Sequence, residues 1–488
     1  MAYDVIGHCY YLEDGSEEDN TFEHNLGAHV HFLSPTPNAL APYGAEAKYY
    51  TQQFLADVQQ TAVLTLPADV TASPFYITNP SNRFIGNAAS GGWSGYAFPA
   101  LPTPTEGSRA GGIVPKDRPL TKFDGNTAHS TGYWWSNGGG VYVGGKLWHP
   151  SASNTLRYNG GRINGFDKPN PPKPHLFTNT KVALSSVGML HWGTTCKIDG
   201  AELVDFKLMA KVFGFAILTN IEATCTTGNV AASTKVAHTE AESDRRRIGG
   251  AITGFQWYDT GQSHIVDDVK FVNCNDAGKN AGAPDMHFVW ELLSHSDLHV
   301  PEAMQATRRI TYDPPINSAS RTKLIGFSRF DRETVSARYN NWFDTDGTTS
   351  GAGAPTLLGS TVGSSGWWRL DSKCEAQNDW NLWICDATKP RRRAGSIFLT
   401  HNPGLHATIG KGSICGNDWI AKVPCPAVGW ANHLGRPASD RIPITANPEL
   451  TGTNRDPNKT PHNTHVYYIM HTGPPGQIKC ATLKSASH

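Results

Sequence analysis

Short runs of β-branched, aromatic and aliphatic residues recur along the chain between turns rich in Gly and Asn. FYIT from Phe75, VYVG from Val141, AKVFGFAIL from Ala210 and VDDVKFVN from Val266 are examples. Runs this short, bounded by turn residues, predict strands rather than helices. Two of the turns repeat: FIGNAASG from Phe84 and FDGNTAHS from Phe123 hold Phe, Gly, Asn and Ala in the same register, and VKFVNCN from Val269 is a looser echo. Gly and Asn both tolerate left-handed backbone, so an Asn fixed in each repeat fits the tight corners of stacked rungs. The pattern predicts an all-β chain, a right-handed parallel β-helix in which each rung buries its inward side chains against its neighbours.

Several stretches depart from this pattern. From Ser34 to Ala72 the segment AEAKYYTQQFLADVQQ has the apolar spacing of one amphipathic helix on an inserted loop. Pro99–Pro119 and Gly138–Pro174 are rich in Gly and Pro and predict irregular excursions, the second inserted near 138–175. Thr226–Gly250 is polar and ends in Arg245-Arg246-Arg247, which reads as a solvated loop. Strand-like runs continue to about Phe343 before DTDGTTSGAGAP interrupts them. The boundary is placed there, giving a β-helix over 1–345 and a smaller disulfide-containing β-rich domain over 346–488, where Trp367 and Trp368 are expected in the core.

Composition narrows the function. Lys and Arg number 42 against 42 Asp and Glu, so bulk charge offers nothing to nucleic acid. With 49 Gly, 32 Pro and 14 Trp at 39% hydrophobic residues, the chain is folded and loop-rich. No apolar run is long enough for a transmembrane segment. The opening MAYDVIGHCYYLEDG lacks the pattern of a secretory signal and reads as the middle of a folded repeat, which predicts a segment of a longer precursor. Nine Cys without CxxC spacing favour disulfides and an oxidising compartment. The close pairs Cys374 with Cys385 and Cys415 with Cys425 are the candidates, and Asn458-Lys459-Thr460 is a glycosylation sequon.

The densest collection of reactive side chains is GHCYYLEDGSEEDNTFEHNLGAHVH, with His8, Glu13, Asp14, Glu17, His24, Asn25, His29 and His31. Glycoside hydrolysis needs two carboxyl groups, one protonated and one ionised. Glu13 and Asp14 supply candidates, although neighbours in a strand point to opposite faces. A turn cap before Gly15 is the competing reading of both. His8 divides evenly between a buried hydrogen-bonded residue and a site residue, and the repeated Asn79, Asn87 and Asn126 are read first as corner ladders. His29 and His31 alternate on one face without a third metal ligand fixed by spacing. Asp344-Thr345-Asp346-Gly347 starts like a calcium loop but lacks the terminal Glu of an EF-hand, leaving Asp344 and Asp346 as candidates for calcium of another type.

These strings resemble the parallel β-helix region of the superfamily that includes fibrocystin, fibrocystin-like protein and the cell-migration-inducing and cell-surface hyaluronidases. Gly7, His8, Glu13, Asp14, Gly15, Asn25, Leu26 and Gly27 stand where that family reads GH, EDG and NLG. YITNPSNRFIGNAASG from Tyr76, FDGNTAHSTG from Phe123 and the Cys374–Cys385 element follow in the family's order. The family's upstream glycine-rich domain has no counterpart in this sequence. The resemblance implies a pectin-lyase-like fold, an extracellular or cell-surface location and a glycan partner such as hyaluronan. It implies either a hyaluronidase-type glycoside hydrolase or a non-catalytic adhesive module, which can join a larger assembly through the end of its β-helix. On this reading Glu13, Asp14 and His8 form the catalytic candidates. His24, Asn25, Asn87, Asn126, His129 and Tyr133 would contact substrate, with Tyr96, Trp134 and Trp135 for ring stacking. No cofactor is required.

Overall fold

The computed structural model describes residues 1–31, 72–132, 138–148, 157–159, 174–193, 195–212, 215–225, 227, 252–257, 264–274, 290–295, 306–315, 341–351, 353, 356–359, 374–377, 382–385 and 392–399, with short strands at 413–414, 424–425, 445–446, 465–472 and 481–482. The helix expected after Ser34, the residues Tyr133, Trp134 and Trp135, the Arg245–Arg247 cluster, Trp367, Trp368, Cys415 and Asn458 lie outside the described residues.

Three parallel faces wind around one core, so the chain forms a parallel β-helix. Face I stacks Ala2–Ile6, Leu26–His31, Ala88–Gly91 and Thr127–His129, then residues 181–183, 201–204, 221–224, 269–272 and 310–313. Face II stacks Tyr10–Leu12, Phe75–Ile77, Tyr96–Ala100 and Gly139–Trp148, then 187–191, 208–212, Ile252–Trp257 and Trp290–His295. Face III stacks Thr21–Glu23, Arg83–Ile85 and Lys122–Asp124, then 177–178, 196–199, 215–219, 264–267, 306–307 and 343–344. Among the described residues, every strand pair beyond 343–344 is antiparallel.

Register turns the sequence repeats into columns. On face II, Tyr10, Phe75 and Tyr96 stack inward with ring centroids 4.7 Å apart at each step. On face III, Phe22, Phe84, Phe123 and Phe177 follow at 5.2, 6.3 and 5.2 Å. Each fully buried ring contributes about 2–3 kcal/mol by leaving water. Tyr96, expected to stack on sugar, is therefore core and fully buried, because it occupies an inward position of its strand. Two histidines also lie within the core, His175 and His191, with Nδ1 and Nε2 3.4 Å apart. Burial holds His175 down at about 4, and His191 well below its ordinary value.

The corner from face III to face I is the tightest. It uses two residues in each early turn, His24-Asn25, Gly86-Asn87 and Gly125-Asn126, and the first of each pair is left-handed. Thus Gly or His takes the strained position, and the Asn that follows turns its side chain into a ladder. The chain's looser echo belongs elsewhere: in VKFVNCN, Asn273 is left-handed at the corner from face I to face II.

The stretch after Gly138 is not irregular throughout, since Gly139–Trp148 is a strand of face II. Its glycines permit close packing. A Cβ on Gly139 would strike the Val187 carbonyl, and one on Gly140 would lie 2.5 Å from Val182 Cγ1. Among the described residues a disulfide joins Cys225 and Cys274, inside the β-helix, and the side chains of the close pairs expected from the sequence lie outside the described ones. It spans 49 positions and links successive turns at the corner from face I to face II. Cys374 and Cys385 stand opposite each other in an antiparallel pair, while Cys425 stands opposite Ser413.

Candidate functional site

Along the outward column of face II, register aligns Tyr11, Tyr76, Ala97, Tyr142 and Leu190. Four of these are buried, so this face is covered on both sides as parallel sheets commonly are. Tyr11, at 39% exposure, is where the column meets solvent. His8 lies beside it in the corner that follows the left-handed Gly7. Its ring stacks on Tyr76 at 4.0 Å and approaches Tyr11 at 5.0 Å. His8 Nδ1 accepts a hydrogen bond from the Ser73 amide at 3.2 Å, which assigns the proton of the neutral ring to Nε2. Burial drives its pKa down to about 3, so His8 is neutral at physiological pH.

The acidic turn continues from Tyr11. Glu17 Oε1 accepts the amides of Glu13 at 2.8 Å and Asp14 at 2.9 Å, a side chain closing its own turn. Asp14 accepts hydroxyl bonds from Thr105 at 3.2 Å and Ser108 at 3.1 Å, which ties this turn to the loop between faces II and III. Glu18 pairs with Arg118 at 2.7 Å and strengthens the same junction. Left-handed Gly15 completes it, since a Cβ there would sit 2.5 Å from Leu101 Cδ2 and 2.7 Å from Pro115 Cγ. Glu13 is exposed. Burial, and then the nearby charges of Glu13, Glu17 and Asp14, push the Tyr11 phenol upward, so it stays protonated as a hydrogen-bond donor.

The structure gathers His8, Tyr11, Glu13, Asp14 and Glu17 into one cluster and leaves the other candidates apart. His24 and Asn25 occupy the corner from face III to face I, a different edge of the coil. His24 is exposed over Gly86 and lies 3.9 Å from Glu23. Asn25, Asn87 and Asn126 form a ladder: Asn25 Nδ2 donates to Asn87 Oδ1 at 3.2 Å, and Asn87 Nδ2 to Asn126 Oδ1 at 3.0 Å. Asn87 and Asn126 are fully buried, so their polar atoms serve the corner. Asn79 likewise donates to the Gly15 carbonyl at 2.8 Å. His129 is exposed on face I, 3.4 Å from Ser90 Oγ.

The calcium candidates are engaged by local donors. Asp344 accepts from the Thr349 and Ser350 amides at 3.2 and 2.7 Å and from Ser350 Oγ at 2.6 Å. Asp346 accepts from Arg309 N at 2.7 Å and from Thr348 N and Oγ1 at 3.0 and 2.7 Å. Both carboxylates thus cap the turns that hold them. His29 pairs with Asp4 at 3.2 Å. Among the described residues, no group of three or more metal-ligating side chains is found.

Sequence reasoning missed Ser73, Tyr76, Thr105 and Ser108. They reach His8 and Asp14 from 65 to 94 positions away, and only strand register brings them there.

Comparison with known proteins agrees with this geometry. The family described as CEMIP beta-helix matches residues 1–134, which contain the whole cluster. A G8 domain-containing protein of Dictyostelium discoideum is 38% identical over 460 residues, 93% of this chain and 37% of the relative. Communication mutant protein F of the same organism is 36% identical over 397 residues, 79% of this chain and 33% of its own length. Human cell surface hyaluronidase CEMIP2 is 30% identical over 185 residues, 36% of this chain and 13% of its own. The chain therefore spans about a third of the length of these Dictyostelium relatives. Residues 1–134 thus form turns of a parallel β-helix that match the CEMIP beta-helix family, and the chain is similar to G8 domain-containing proteins and, over 36% of its length, to cell surface hyaluronidase.

Proposed function

We propose that this chain binds a hyaluronan-like polysaccharide outside the cell or at its surface, using the cluster around His8 and Tyr11. The observation that carries the reading is the coincidence of that cluster with the CEMIP-type segment. The partly exposed Tyr11 ring, backed by the His8 ring, and the exposed Glu13 carboxylate supply the stacking and hydrogen bonding that sugars require. The Cys225–Cys274 disulfide supports an oxidising compartment. No helix among the described residues is long and apolar enough to cross a membrane.

The finer form of the proposal is internal cleavage of the polymer, supported by the human relative named as a hyaluronidase. Glu13 is the better-placed acid, because it is exposed whereas Asp14 is committed to Thr105 and Ser108. That commitment also favours a second reading, a non-catalytic adhesive module in which the acidic turn is architectural. Incubating the protein with hyaluronan between pH 5 and 7, with and without calcium, and sizing the products separates the two. Shortened polymer that remains intact with Glu13→Gln supports cleavage through Glu13. Retention of the polymer on the protein at unchanged length supports adhesion, and no retention removes both.

A further inference from the structure

His191 and His175 form a directed chain of hydrogen bonds inside the coil, where both rings are buried. The Gly193 amide donates to His191 Nδ1 at 3.3 Å, which assigns the proton of that ring to Nε2. His191 Nε2 lies 3.4 Å from His175 Nδ1, so the first ring donates to the second and His175 keeps its own proton on Nε2. The His175 ring is hydrogen-bonded in turn to the Arg118 backbone. The neutral pair thus holds one proton between its rings. A second proton there would set donor against donor.

Arg118 is where this chain of bonds meets the surface. His175 holds its backbone, and Glu18 holds its guanidinium at 2.7 Å. The loop over 101–121 that carries Arg118 also supplies Thr105 and Ser108 to Asp14, and Ser16 Oγ donates to Ser108 Oγ at 3.0 Å. One loop therefore joins the histidine pair to the acidic turn beside Tyr11. Register sets Val143 and Val212 beside His191 and Cys196 beside His175, with Ala216 and then His264 further along that column. On the outer side Lys211 lies over Trp192 at 5.6 Å. Burial is the main restraint on charging either ring, followed for His191 by the charge of His175.

We propose that the His191–His175 pair is an acid-sensitive latch on the loop over 101–121, and that acid releases this loop and with it the acidic turn of the candidate site. With the Arg118 contact broken, water reaches the rings and each binds a proton as an ordinary imidazole. The closed rings titrate below the ordinary 6.5, so the latch holds at pH 7 and weakens as pH falls from about 6.5. Each histidine shifts the opening equilibrium by about tenfold per pH unit over that range. As regulation of the site the proposal rests on the polysaccharide reading above, whereas the latch itself does not.

The test is hydrogen–deuterium exchange of the full chain at pH 7 and pH 5, corrected for the intrinsic pH dependence of amide exchange. Amides over 101–121 are expected to gain about tenfold or more in opening at pH 5, while the strand at 201–204 stays protected. His175→Gln keeps a donor and an acceptor without titrating, and should cut that gain by about tenfold. The latch is overturned if the loop opens equally at both pH values, if loop and strand lose protection together, or if His175→Gln leaves the gain unchanged. Should that variant fail to fold, ring-nitrogen NMR of the wild-type histidines at pH 7 decides, since a proton on Nδ1 of either His175 or His191 overturns the chain of bonds. Hyaluronan retention is expected to fall as the loop opens. Unchanged retention with an open loop overturns the link to the site, and no retention at pH 7 overturns the polysaccharide reading while the latch stands.

Discussion

Asn87 Nδ2 donates to Asn126 Oδ1 at 3.0 Å across a gap of 39 positions, while Asn87 Oδ1 receives the amide of Asn25 at 2.9 Å. Asn87 therefore joins three successive turns of the coil. Its Nδ2 also donates to the Phe22 carbonyl at 2.9 Å, and the residue is fully buried.

Replacing Asn87 with Ala removes all of these bonds and leaves the Asn25 amide and the Phe22 carbonyl without their partner. The expected loss is about 2–4 kcal/mol of folding stability, measured by denaturant unfolding. A loss below about 0.5 kcal/mol would show that water replaces the side chain.

The Cys225–Cys274 bridge closes a loop of 49 positions, including the excursion between faces I and II. On the chain-entropy account, a loop of that length contributes about 4 kcal/mol. Cys225→Ser combined with Cys274→Ser, or reduction of the wild type, should lower the melting temperature. An unchanged melting temperature under reducing conditions, with thiol release verified, contradicts the expectation.

Acid should weaken the fold through its buried histidines. His8 and His175 titrate near 3 and 4 in the folded chain, against an ordinary value of 6.5, and burial is the cause in both. Below pH 6.5 the unfolded chain binds protons that the folded chain refuses, so stability falls as pH drops from about 6.5 toward 4. The slope reaches about 1.4 kcal/mol per pH unit for each histidine. Urea unfolding at pH 7 and pH 5 reads this directly. His175→Gln should flatten the slope, and equal slopes in variant and wild type would contradict the assignment.

Asp14→Asn and Glu13→Gln should differ in stability as well as in activity. Asp14 anchors Thr105 and Ser108, so its neutral variant is expected to lose about 1 kcal/mol and to raise amide exchange in the loop over 101–119. Glu13 is exposed, and its variant should unfold like the wild type. Equal protection of that loop in both variants would exclude the anchoring role.

Much of the coil was legible because its period lies in the chemistry. Phe84-Ile85-Gly86-Asn87 and Phe123-Asp124-Gly125-Asn126 each spell an inward ring, an outward residue, a left-handed corner and a ladder Asn. The later corners were harder to read because the left-handed place passes among Asn, Gly, Asp and Arg, at Asn179, Gly200, Asn220, Asp268 and Arg309. The cluster was half legible. His8, Glu13, Asp14 and Glu17 are close in sequence, whereas Tyr76 reaches His8 only through the pairing of Tyr11 with Tyr76. Tyr96 was misjudged because its side depends on strand phase, and a single-residue change of phase exchanges inside for outside.

The shortness of the corner between faces III and I gives the molecule a fixed ruler. Two residues bridge it at each of the first three turns, whereas 43 residues separate His31 from Phe75 and 21 separate Ala100 from Lys122. Added length is thus confined to the two edges that border face II. Inserted sequence at those edges changes the walls beside Tyr11 and His8 while the spacing of the rungs stays constant. Variation in the outer surface of such a coil is therefore expected along face II, with the opposite edge holding the axial repeat in place.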